Sequence, residues 1–100
     1  MSEGLGPVGT KNALNITTPQ LLDTTGASSY SARRISHVHV LVAGSAPGSV
    51  NDAATVAAAG SNNQVFVIPN TLGIYLVDFP CMAGIVVMPG TGQTLAVSYD

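Results

Sequence analysis

Charge is what this chain has least of. Only eight of its 100 residues are charged, namely Glu3, Lys11, Asp23, Arg33, Arg34, Asp52, Asp78 and Asp100, where an ordinary globular domain carries about 25%. Three cations and a formal net charge of −2 cannot neutralise a run of phosphates, which argues against nucleic acid as a partner. Cysteine is scarcer still. With Cys81 alone there is no internal disulfide, and one thiol without several His, Cys or carboxylate partners cannot hold a structural zinc. Tryptophan is absent and only five residues are aromatic, a poor supply for a platform on which sugar rings stack. Long apolar runs are missing too. The longest, around residues 85–88, is far short of the roughly 20 residues of a membrane helix. The opening Met1-Ser2-Glu3-Gly4 has an acid and no apolar h-region, so no secretory signal is expected and synthesis is placed in the cytoplasm.

A chain of this length buries only a little over 60% of its unfolded surface. Without covalent or metal staples, association is the remaining source of extra stability. The 46% hydrophobic content then has more apolar surface to place than one small core absorbs.

What is present is a series of short strands. Residues 35–43 alternate so that Val38, Val40 and Val42 fall on one face, and Gly44-Ser45-Ala46-Pro47-Gly48 turns the chain. A strand through Ser49, Val50, Ala54 and Val56 is expected next, with residues 53–59 as the one rival for a helix. Residues 64–68 form a strand closed by Pro69-Asn70. In the next, Leu72, Ile74 and Leu76 point one way and Tyr75, Val77 and Phe79 the other, which predicts a strand covered on both sides and ended by Pro80. Residues 85–88 are β-branched, Pro89-Gly90-Thr91-Gly92 is a turn, and Leu95, Val97 and Tyr99 alternate in the last strand. The predicted class is all-β, a compact antiparallel β-sandwich or jelly roll with an extended N-terminal arm. Residues 1–30, rich in Gly, Ser, Thr and Pro, are read as that arm or as a short edge strand through Leu14 and Ile16. Residues 31–100 are read as the sandwich domain.

Candidate chemistry is thin. His37 and His39 share a strand face and would bind a transition metal only with a third ligand, which nothing in the sequence supplies. At an interface they would make association sensitive to pH in the histidine range. Asp52 and Asp78 lie in different strands and form no catalytic pair. Gly90-Thr91-Gly92-Gln93-Thr94 lacks the Gly-Lys-Ser/Thr ending of a phosphate loop. Cys81, in apolar company, reads as a buried inert thiol. No catalytic residue, cofactor or metal is predicted, and the chain is expected not to be an enzyme.

From about His39 to Tyr99 the chain resembles small decoration, or cement, proteins of tailed-bacteriophage capsids. The similar segments are Val42-Ala43-Gly44-Ser45, Gly48-Ser49-Val50-Asn51-Asp52, Ile68-Pro69-Asn70-Thr71, Gly84-Ile85-Val86-Val87 and Pro89-Gly90-Thr91-Gly92-Gln93. The resemblance implies a compact sandwich on the capsid exterior, with the major capsid protein as partner; the want of other staples makes a homo-oligomer, dimer or trimer, the expected form. Neither nucleic acid nor membrane would be a partner. The expected assembly contacts are Leu14, Ile16, Leu21 and Leu22 of the arm, the pair Arg33 and Arg34, and Tyr75 and Phe79. Arg33-Arg34 suits a bidentate bond to a partner's carboxylate, or solvation at a strand entrance. Deleting residues 1–25 is expected to abolish capsid retention and leave the sandwich folded. Two other classes compete: a fibre knob that binds glycan, and a tail or connector component whose sheets continue across subunits.

Overall fold

The computed structural model describes residues 11–24 and 33–100. Eight strands follow in chain order: β1 (Lys11–Ile16), β2 (Gln20–Thr24), β3 (Arg33–Val42), β4 (Gly48–Asp52), β5 (Gln64–Ile68), β6 (Gly73–Cys81), β7 (Gly84–Met88) and β8 (Thr94–Tyr99). All pair antiparallel. β4 pairs with β5, β3 with β6, β2 with β7 and β1 with β8, a nested set. Rolling that nest brings β3 beside β8 and β4 beside β7. The result is two four-stranded sheets, β1-β8-β3-β6 (sheet I) and β2-β7-β4-β5 (sheet II), which is the double-sheet jelly roll.

Alternation along the strands builds the core between the sheets. Sheet I turns in Ile16, Ile35, Val38, Val40, Leu95 and Val97, and sheet II turns in Val50, Ile68, Ile85 and Val87, with Cys81 among them. Part of the outer face of sheet II carries its own cover, while Val67 on β5 stays exposed. Asn51, almost fully buried there, donates to the Gly60 carbonyl (2.8 Å) and to Asn63 Oδ1 (2.9 Å), pinning the connection of residues 53–63 over β4. That connection is a pair of turns and a single turn of 3-10 helix, Ser61–Asn63. It is neither the continued strand through Ala54 and Val56 nor the rival helix, because Asn51, Asn63 and Thr55 bond its backbone into turns.

The proposed division at residue 30 does not hold. β1 and β2 are edge strands of the two sheets, Ile16 is fully buried, and Tyr99 Oη reaches the Leu22 carbonyl at 3.4 Å, so the sandwich includes residues 11–24. Within residues 11–24 the chain forms two edge strands, β1 through Leu14 and Ile16 and β2 through Leu21 and Leu22. Residues 1–10 and 25–32 lie outside the described residues. Pro80 does not stop β6 either, since a proline costs no ladder bond on the outer side of an edge strand, and β6 runs to Cys81. Val42 leaves the core phase of Val38 and Val40 because the register with β8 shifts between Val40 and Val42, leaving it half exposed.

Candidate assembly surface

β6 is the last strand of sheet I, and it is not covered on both sides. Tyr75 and Val77 pack against the core, while Ile74 and Leu76 are each 67% exposed on the outer face. The register extends that face across the sheet: Leu76 lies opposite His37, which lies opposite Ser98 and then Asn12, and Ile74 lies opposite His39 and then Ala96. Leu41 and Leu14, on β3 and β1, are exposed, as is Leu72 just before β6. Ala96, small between taller neighbours, floors a shallow groove of about 180 Å³ lined by Asn12, Leu14, His39, Ala96, Val97 and Ser98.

No charged side chain stands in these rows. Seven of the eight charged residues lie in the described segments, and the register gathers all seven at one end of the sandwich. Lys11 is opposite Tyr99, Asp23 and Asp52 are opposite Ile85, Arg33 is opposite Cys81 and Arg34 is opposite Pro80. Two pairs neutralise one another there: Lys11 Nζ with Asp23 Oδ2 at 3.4 Å, and Arg34 Nη1 with Asp78 Oδ1 at 3.1 Å. Asp100 closes the same end, its N–H donating to the Arg34 carbonyl. The fourth acid, Asp52, accepts from the backbone N–H groups of Met82, Ala83 and Gly84 at 2.9, 2.6 and 3.2 Å. Three donors on one carboxylate fix the β6–β7 turn.

Among the described residues the opposite end carries no charge, and it is tightly knit. Gln93, almost fully buried, accepts from the Gly90 N–H and donates to the Pro69 carbonyl, each at 2.9 Å. Ser45 N–H donates to the Thr91 carbonyl at 2.8 Å. The Gly44-Ser45, Pro69-Asn70 and Pro89 to Gln93 segments therefore converge, and their residue types are explained by close packing of three loops.

The expected contact residues divide. Leu14 is exposed at 69% and belongs to the uncharged face, and Leu21 (39%) is exposed on the edge of sheet II. Ile16 is core and unavailable for contact, because the β1 bulge after Ala13 returns it to the inside. Leu22 is half buried against the same core. Arg33 begins β3 and its side chain lies outside the description, whereas Arg34 spends its guanidinium on Asp78 of its own chain. Tyr75 turns inward, its hydroxyl donating to the Thr71 carbonyl at 2.8 Å. Phe79 is 45% exposed beyond the register shift in β6. Sequence reasoning missed Leu41, Leu72, Ile74 and Leu76. The alternation of Ile74 and Leu76 was visible, but only the packing of Tyr75 and Val77 against the core shows which side stays bare.

The two histidines do share that face, with ring centroids 6.5 Å apart. Ser36 Oγ and His37 Nδ1 lie within hydrogen-bond distance, 2.7 Å. Among the described residues no group of three or more His, Cys, Asp or Glu surrounds them or forms elsewhere. Cys81 is fully buried, and burial with Asp52 nearby pushes its thiol up to about 12, the state of an inert thiol. Comparison of the chain with family models, with characterised proteins and with solved structures finds no match in any of the three.

Proposed function

We propose that the chain is a non-enzymatic structural protein of a tailed-phage virion that binds the outer surface of the capsid and stabilises it. The observation that carries the proposal is the outer face of sheet I: four strands wide, uncharged among the described residues, and studded with exposed Leu14, Leu41, Ile74 and Leu76, in a protein that covers part of its other sheet, around Asn51, with its own loop. The jelly roll supports the reading, since the architecture recurs in viral capsid and lectin domains. The resemblance of five turn and strand segments supplies the capsid as the lattice.

The mechanism is mass action. A protein that binds the assembled lattice and not its dissociated subunits stabilises the lattice by its binding free energy at every site. Covering each exposed Leu or Ile contributes on the order of 1–2 kcal/mol. Single contacts are modest, and repetition over a shell makes them resist internal pressure together.

The test is the copy number and position of the chain on purified particles of the phage that encodes it. Hundreds of copies on the head are expected. Six or twelve copies at the portal would replace the capsid reading with a connector, and absence from the particle would end it.

A further inference from the structure

We infer that β6 pairs with β6 of a second copy of this chain, antiparallel and centred on Tyr75, so that the unit that docks is a two-fold dimer. The docking consequence rests on the capsid reading; the pairing rests on the edge of the sheet alone.

An edge strand presents a row of backbone donors and acceptors, and proteins blunt such rows with bulges, charges or prolines. Three of the four edges here are blunted or short. β1 bulges between Ala13 and Ile16, with Asn15 at φ 54° and Lys11 at its start. β2 is five residues, shifts register between Leu21 and Asp23, and carries that acid. β5 is five residues closed by Pro69, and pairing it with itself about Phe66 would set Gln64 opposite the fully buried Ile68. β6 differs. Its register with β3 is unbroken from Gly73 (φ 155°) to Leu76, without charge or proline, and the register shift, Asp78 (φ 46°) and Pro80 follow that stretch.

The sequence of that open stretch is self-complementary. Placing Tyr75 opposite Tyr75 of a second copy sets Gly73 opposite Val77 and Ile74 opposite Leu76, each pairing occurring twice by symmetry. The two outward aliphatic side chains of each copy, both 67% exposed, then meet as cross-strand neighbours. Tyr75 and Val77 stay where they are, on their own core. The ladder gains the backbone partners that β3 supplies on the other side. The order becomes β1-β8-β3-β6-β6-β3-β8-β1, and the uncharged face grows from about 19 to about 38 Å across at ~4.8 Å per strand. Two faces on one rigid sheet engage a lattice bivalently.

Sedimentation equilibrium of the full chain tests the pairing, using two double variants with equal numbers of introduced charges. The wild type should sediment at twice the 10.1 kDa chain mass. Ile74→Lys with Leu76→Lys sets like charges opposite one another and should sediment as monomer. Ile74→Lys with Leu76→Glu sets opposite charges together and should return the dimer. A monomeric or trimeric wild type, or two variants that behave alike, overturns the pairing. If a variant fails to fold, amide exchange on the wild type decides: slowing of residues 73–77 as concentration rises supports the dimer, and concentration-independent exchange overturns it. A chain that pairs but does not bind heads supports the pairing and overturns the capsid reading; a monomer that binds heads does the reverse.

Discussion

The Asp52 carboxylate sits 2.6 Å from the backbone nitrogen of Ala83, and the same group holds Met82 and Gly84 on either side. One side chain at the end of β4 thus closes the turn between β6 and β7, which belong to different sheets.

Asp52→Asn removes the charge from three charge-assisted bonds and aims an amide group at backbone donors. Hydrogen bonds to charged groups contribute about 1.5–3 kcal/mol. The urea midpoint should fall by a stability loss of about that size, with the m-value unchanged.

Gly44 and Gly92 both occupy the left-handed region, at φ 71° and 76°, yet their surroundings differ. A Cβ on Gly44 would meet the Thr91 carbonyl oxygen at 2.5 Å, whereas one on Gly92 would meet nothing nearer than Gly44 Cα at 3.5 Å. Gly92→Ala should cost about 1 kcal/mol of backbone strain. Gly44→Ala should cost at least twice that, read from thermal or urea unfolding, because it must also push apart the loops that carry Gly44 and Thr91.

The raised Cys81 thiol makes stability fall in alkali. Unfolded, the thiol ionises near 9.0; folded, it keeps its proton to about 12. Between those values the unfolded state has released the proton and the folded state has not. The contribution is therefore fully present below pH 9 and is lost by up to about 1.4 kcal/mol per pH unit as pH rises toward 12. Cys81→Ala should show a flatter profile over pH 9–11, and wild-type Cys81 should resist alkylation at pH 8 until urea unfolds the chain.

Removing residues 1–24 should unfold the sandwich, the reverse of what an independent arm implies. The cut takes an edge strand from each sheet together with fully buried Ile16 and the Lys11–Asp23 pair that bridges them. Loss of the β-sheet circular dichroism signal and of cooperative melting is the expected outcome.

Much of the jelly roll was legible because β5, β7 and β8 carry strong local signals: β-branched runs bounded by proline, asparagine and glycine. Of the N-terminal strands, β1 was read only as the alternative to an arm and β2 not at all, since Gly, Ser, Thr and Pro around them mask a pairing that comes from β7 and β8, far along the chain. Residues 53–59 were misread for a related reason. Their alanines suit helix or strand, and Asn51 and Asn63 decide for turns through bonds that no local pattern encodes. The scarcity of charge implied bare apolar surface, and the exposed Leu14, Leu41, Ile74 and Leu76 supply it. Its place did not show, because the exposed side of β6 follows from which face of sheet I packs against sheet II, and the gathering of charges at one end follows from non-local register.

The outer face of sheet I as the capsid-binding surface is tested most directly by saturation binding of the full chain to heads of the phage that encodes it. Wild type is compared with Leu14→Asp/Leu41→Asp, a variant altered only at side chains at least half exposed and expected to keep its stability to within about 1 kcal/mol. The prediction is saturable binding by the wild type and at least a hundredfold weaker binding by the variant, both folded to the same melting temperature within a few degrees. Equal binding by the two proteins would contradict it.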